Sequence, residues 1–210
     1  MKLKVCGLKH EHNIAELAKL PIGYIGFIFY KKSPRFIGEH LSVDFVRTIP
    51  KRIKKTGVFV NENSYAIFSK IARYDLDIVQ LHGNESPESC AELRPFVKVI
   101  KAFQIQDSFD FKQLENYLHV VDYFLFDSSS ENYGGSGKLF NWQLLKKYNY
   151  TIPFFLSGGV NEEHIEAINQ LNMQQLTAID INSKFETEPG LKDTERVKQF
   201  ILKLNNNDNE

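Results

Sequence analysis

Cysteine is scarce: positions 6 and 90 are the only two in 210 residues. That is too few for a disulfide framework, so free thiols in a reducing compartment are expected. Charge of either sign is not in excess. The 26 Lys and Arg balance 26 Asp and Glu, whereas a nucleic-acid binder normally carries a basic surplus. Basic stretches such as Lys51 with Arg52 and Lys54 with Lys55 exist, and they read as solvated element ends. No apolar run approaches the roughly 20 residues of a membrane span. The opening MKLKVCGLK lacks the apolar stretch of a secretion signal. A cytoplasmic protein with neither nucleic-acid nor membrane partners is expected. Metal-ligand spacing is also missing. The six histidines, at 10, 12, 40, 82, 119 and 164, are scattered, and His10-x-His12 has no third ligand at useful spacing. No metal site is expected.

What the sequence does contain is a repeated alternation. Short β-rich runs fall at residues 3–6, 24–29, 56–60, 78–81, 97–103, 123–126, 153–156 and 178–181. Most are continuously apolar, as strands covered on both faces must be. Between them lie helical spacings: Ile14, Leu17, Ala18 and Leu20; Ala66, Ile67, Ile71 and Tyr74; Ile165, Ala167, Ile168 and Leu171. Asn61 or Asn63, Ser86-Pro87 and Asn161 supply cap-type residues ahead of helical runs. Eight such units predict an α/β fold with a parallel sheet, closed as a (β/α)₈ barrel. The runner-up is an open doubly wound sheet. No linker or repeat divides the chain, so residues 1–204 should form one barrel domain, with 205–210 a polar disordered tail. The barrel would be small, since such folds typically run to roughly 250 residues.

In this architecture function collects at the C-terminal strand ends, and the unusual residues gather there. Cys6-Gly7 follows the first run, Lys32-Ser33-Pro34-Arg35 the second and Gln80-Leu81-His82-Gly83 the fourth. Asp127 and then Tyr133-Gly134-Gly135-Ser136-Gly137-Lys138 follow the sixth, Ser157-Gly158-Gly159 the seventh and Asp180-Ile181-Asn182-Ser183 the eighth. Singly, each has an ordinary explanation. Cys6 could be a small buried residue, Asp127 a turn former or cap, Arg35 a surface residue and His82 a loop histidine. The glycine loop at 133–138 lacks the spacing of a Walker loop. The loops after runs seven and eight are more telling, because barrels often hold a phosphate there. Glycine lets backbone N–H groups approach an anion, and Ser157, Asn182 and Ser183 add donors. Lys4 lies two residues before Cys6 and shares its strand face. An inward lysine needs a carboxylate, and Asp180, on the neighbouring eighth strand, is the candidate.

The ordered set resembles the phosphoribosylanthranilate isomerases over essentially the whole chain. It runs from Lys4-Val5-Cys6-Gly7 through Gly26-Phe27-Ile28-Phe29, Ser33-Pro34-Arg35 and Gly57-Val58-Phe59-Val60-Asn61 to Gln80-Leu81-His82-Gly83. It continues with Phe126-Asp127, Gly134-Gly135-Ser136-Gly137, Leu156-Ser157-Gly158-Gly159, Asp180-Ile181-Asn182-Ser183 and Pro189-Gly190-Leu191-Lys192-Asp193. The resemblance implies an Amadori rearrangement of a sugar-phosphate substrate, N-(5-phosphoribosyl)anthranilate, with no cofactor, in tryptophan biosynthesis. It implies Cys6 as general base, Asp127 as general acid and Arg35 at the anthranilate carboxylate. His82, Gly134, Gly135, Ser157, Gly158, Gly159, Asp180, Asn182 and Ser183 are then the substrate-binding candidates. One departure is Lys184-Phe185, where the family commonly has a small residue or glycine. Other phosphate-binding barrels fit less well, since neither the lysine–glutamate set of an indole-glycerol-phosphate synthase nor the metal or paired aspartates of a pentose-phosphate epimerase is evident. A non-catalytic binder is disfavoured by the presence of both proton-transfer residues.

Overall fold

The computed structural model describes residues 1–38, 40–128 and 141–206. Eight parallel strands close into a barrel: β1 (Lys2–Val5), β2 (Tyr24–Ile28), β3 (Lys54–Phe59), β4 (Ile78–Leu81), β5 (Lys98–Ile105), β6 (Tyr123–Ser128), β7 (Phe154–Leu156) and β8 (Leu176–Ile181). The ring shuts where Lys4 pairs with Asp180 and Val5 with Ile181 in the β1–β8 ladder. Each strand lies within two residues of its expected place.

The strand period of two sorts side chains between two cores. Tyr24, Ile78, Ile100, Ala102, Leu125, Phe155 and Ala178 pack together inside the barrel. Their strand neighbours Ile25, Val79, Val99, Phe124, Phe126, Phe154 and Ile179 belong to the larger layer between barrel and helices. Most of these side chains are fully buried, and each Val, Leu, Ile and Phe among them contributes on the order of 1.5–3 kcal/mol through burial.

The outer layer contains α1 (Glu11–Leu17), α2 (Val43–Thr48), α3 (Ser64–Tyr74), α4 (Pro87–Leu93), α5 (Ile165–Leu171) and α6 (Thr194–Asn206). The caps expected at Asn63, Ser86 and Asn161 are present, accepting from the backbone N–H of Ala66, Ser89 and Glu163. Asn61 does not cap. It is left-handed, with φ 49°, and its Oδ1 accepts from the Asn84 N–H at 2.7 Å.

Two of the expected helices are instead 3₁₀ segments, Phe111–Tyr117 and Trp142–Lys147. Their buried residues are Phe111 with Leu114 and Trp142 with Leu145. A buried repeat of three suits a helix of three residues per turn. A hairpin of β9 (Glu186–Glu188) and β10 (Leu191–Lys192) follows β8. The last helix continues through Asn206, so the boundary expected after residue 204 falls inside α6. Residues 207–210 lie outside those described.

Candidate active site

The C-terminal ends of the strands surround one pocket. It is lined by Cys6, Arg35, His82, Asp127, Ser157, Gly158, Gly159, Asp180, Asn182 and Ser183. These are the residues singled out in the sequence, except Gly134 and Gly135, which lie outside the described residues. Alternation explains much of the convergence. Lys4 and Cys6, Gln80 and His82, Leu125 and Asp127, and Asp180 and Asn182 are spaced by two on strands whose inward register is already set.

Cys6 sits just past β1, its N–H donating to the Ile181 carbonyl at 2.9 Å. Its side chain is buried. Burial pushes the thiol up, while the Lys4 and Lys192 ammoniums pull it back. Lys4, with no exposed surface, donates to Asp180 Oδ2 at 2.9 Å. Burial disfavours the Lys4 ammonium, but Asp180 and Cys6 outweigh it and hold the amine protonated. The expected Lys4–Asp180 pair is therefore present. Asp180 Oδ1 is buried and has no hydrogen-bond partner, leaving an acceptor in the wall of the pocket. Space around the sulfur is tight, since a Cβ on Gly26 would lie 2.7 Å from Cys6 Sγ. Gly26→Ala is expected to displace Sγ and lower kcat by at least about tenfold, since small misplacements of reacting groups are costly. Wild-type kcat in that variant would show that the sulfur needs no such room.

On the far side, Asp127 Oδ2 lies 3.2 Å from His82 Nε2. Gln80 Nε2 stands 2.7 Å from His82 Nδ1. The amide orientation decides which imidazole nitrogen carries the proton. With Gln80 donating, Nδ1 accepts and Nε2–H is aimed at Asp127. Gln80 was quoted in the sequence only as part of a motif. Its period-two spacing from His82 was the available signal for a role.

Between Cys6 and Asp127 lies a corner suited to an anion. Gly158 and Gly159 both adopt positive φ, 93° and 68°, a conformation that glycine takes without steric cost. A Cβ on Gly158 would meet the Ser128 nitrogen at 2.4 Å. Successive backbone N–H groups in such turns form a concavity for anions. Ser183 and Lys184 border the same pocket. The departure at 184–185 thus splits in two: Lys184 faces the pocket, and Phe185 is buried against Phe200, with ring centroids 5.0 Å apart.

Glu186 was not singled out in the sequence, and Lys192 stood there only inside the Pro189–Asp193 motif. Glu186 and Lys192, on the β9–β10 hairpin, are both nearly enclosed. Arg35 Nε donates to Glu186 Oε1 and Oε2 at 2.9 and 3.0 Å, and Nη2 donates to Oε2 at 2.7 Å. Elsewhere, the fold brings His40 to His10, with ring centroids 6.0 Å apart. Among the described residues, however, no three His, Cys, Asp or Glu side chains group as metal ligands.

Residues 3–203 match the family described as N-(5'phosphoribosyl)anthranilate (PRA) isomerase. An N-(5'-phosphoribosyl)anthranilate isomerase of Parabacteroides distasonis is 46% identical over 209 residues, covering 97% of this chain and 93% of the relative. The crystal structure of phosphoribosyl anthranilate isomerase from Thermotoga maritima superposes with TM-score 0.83 at 32% identity, covering 98% of this chain and 99% of that one. Another structure of this enzyme, 28% identical with TM-score 0.80 over 98% of this chain and 99% of that one, holds reduced 1-(o-carboxyphenylamino)-1-deoxyribulose 5-phosphate. With the family match spanning nearly all of a closed eight-stranded barrel, this chain belongs to the N-(5'-phosphoribosyl)anthranilate isomerase family.

Proposed function

We propose that this pocket converts N-(5-phosphoribosyl)anthranilate to 1-(2-carboxyphenylamino)-1-deoxyribulose 5-phosphate with Asp127 as general acid and Cys6 as general base. The observation that carries this assignment is that both groups line one pocket, from strands three steps apart in the ring, with the glycine corner of β7 and β8 between them. The related enzyme's complex with a reduced form of the product supports the same substrate class here.

The furanose must open first. Its ring oxygen leaves only if protonated as the C1–O bond breaks, and a carboxylic acid can donate that proton. The His82 contact occupies Asp127 Oδ2 and leaves Oδ1 to carry it. Ring opening yields an iminium conjugated with the anthranilate ring, which acidifies the C2 proton. The Cys6 thiolate then removes that proton, giving an enolamine that tautomerises to the ketone. The iminium is a cation formed next to the thiolate at the moment of transfer, and the Lys4 ammonium lies behind it. Asp180 Oδ1, buried and unpartnered, is the acceptor for a sugar hydroxyl. Ser157, Gly158, Gly159, Asn182 and Ser183 take the phosphate. Arg35 meets the anthranilate carboxylate through N–H groups that Glu186 does not occupy.

Lys184 adds a cation at the rim of the phosphate corner. Lys184→Ala should raise KM about three- to tenfold with kcat nearly unchanged, since the contact is made equally in ground and transition states. Unchanged KM would mean the ammonium points to solvent. Steady-state turnover of the purified chain with N-(5-phosphoribosyl)anthranilate tests the whole assignment, and absence of the ketose product would overturn it.

A further inference from the structure

Arg35 reaches the pocket from the loop after β2, and the segment that holds it comes from 151 positions further along the chain. Glu186, the first residue of β9, is the hub. It takes the three bonds from Arg35, a fourth from Lys192 Nζ at 2.5 Å, and a fifth from the Gly190 N–H at 3.0 Å. Lys192 Nζ also donates to Asn182 Oδ1 at 2.9 Å. The chain of contacts passes directly over the residue after the base. A Cβ on Gly7 would lie 2.7 Å from Asn182 Oδ1 and 2.8 Å from Arg35 Cδ. None of these groups is free to wander: the side-chain exposures of Arg35, Glu186 and Lys192 are 14%, 5% and 0%.

Two basic side chains share one carboxylate, and burial pushes the Lys192 amine down while Glu186 opposes that shift. The bidentate grip uses the Nε side of the guanidinium. Among the described residues, Nη1 makes no bond to protein. A guanidinium presents its donors in a rigid fork, so fixing one edge fixes the plane and aim of the other. Fixing it before the substrate arrives removes the ordering cost at binding. Burial works against the Glu186 carboxylate, yet Arg35 and Lys192 outweigh it and hold it below the usual carboxylate range.

We propose that Glu186 is a positioning residue for substrate recognition: it orients the Arg35 guanidinium so that its Nη1 edge receives the anthranilate carboxylate. This rests on the assignment of Arg35 to that carboxylate.

The test is a double-mutant cycle with Arg35→Ala and Glu186→Gln, read as KM and kcat separately. Glutamine keeps the shape and one acceptor but removes the charge. Arg35→Ala should raise KM by at least about tenfold, and Glu186→Gln by about fivefold with kcat within about threefold, the pattern of lost uniform binding. The double variant should have a KM within about twofold of Arg35→Ala alone, because Glu186 acts through the guanidinium. A raised KM in Arg35→Ala with an unchanged one in Glu186→Gln overturns the role of Glu186 alone, as does a double variant whose KM is the product of the single effects. An unchanged KM in Arg35→Ala overturns the Arg35 assignment itself. If Glu186→Gln does not fold, guanidinium rescue of Arg35→Ala replaces it. Millimolar guanidinium should lower KM where ammonium at the same concentration does not, since Glu186 offers a bidentate half-site. An equal response to both ions overturns the proposal.

Discussion

Cys6→Ser is expected to lower kcat about 10²–10⁴-fold, the span that general-base catalysis typically supplies, with little change in KM. The hydroxyl fits the same space, and the barrel ladder around residue 6 is made by backbone atoms, so the fold should persist. What is lost is a group able to exist as an anion beside Lys4. Retention of more than about a tenth of kcat would remove Cys6 from the mechanism. The pH dependence gives a second readout. Burial pushes the thiol up despite the Lys4 and Lys192 ammoniums, so at neutral pH the free enzyme carries mostly thiol. The thiolate fraction rises as pH approaches that raised value from below. kcat/KM, which reports groups of the free enzyme, should therefore climb above neutrality by up to about tenfold per pH unit. That alkaline limb should vanish in Cys6→Ser. A flat profile in the native protein would mean that the thiol is not the group that ionises.

Asp127→Asn is expected to cost about the same, 10²–10⁴-fold in kcat, for a different reason. The amide oxygen can still accept from His82 Nε2–H, so the side chain keeps its place. It has no acidic proton for the ring oxygen, and C1–O cleavage must expel an alkoxide unaided. KM should stay near the native value because the phosphate corner and Arg35 are untouched. Full activity in this variant would mean that another group opens the ring. The comparison of the two variants is informative in itself. The ring must open before C2 becomes acidic, so Asp127→Asn should leave the substrate closed, whereas Cys6→Ser should allow opening without C2 proton exchange. Solvent deuterium incorporation at C2 of recovered substrate, absent in both, would agree with that order. Incorporation in Cys6→Ser would identify a different base.

Much of this arrangement was legible in the chain. Strands such as 78–81 stand out because parallel strands buried on both faces must be continuously apolar, and period-two spacing carries Cys6 and Lys4 to one face. The corner at Gly158 and Gly159 was legible because few residues other than glycine occupy successive positive φ positions. The 3₁₀ segments were harder to see. Phe111 with Leu114 and Trp142 with Leu145 repeat by three, and each run is too short to separate from a helical period.

Local chemistry in the sequence determined the strand positions, the inward faces and many of the residues delivered to the mouth, because those follow from spacing along one chain; the β1–β8 ladder decided for a closed ring over an open sheet. Tertiary structure alone decided what those residues do to one another. Glu186 and Lys192 sit in a two-rung hairpin with no periodic signal, and no spacing along the chain ties either of them to Arg35. They matter because closing the ring sets β8 against β1 and brings Glu186 to Arg35. Ion pairs and pKa shifts depend on distance and burial rather than on separation along the chain, and those quantities exist only once the barrel has closed.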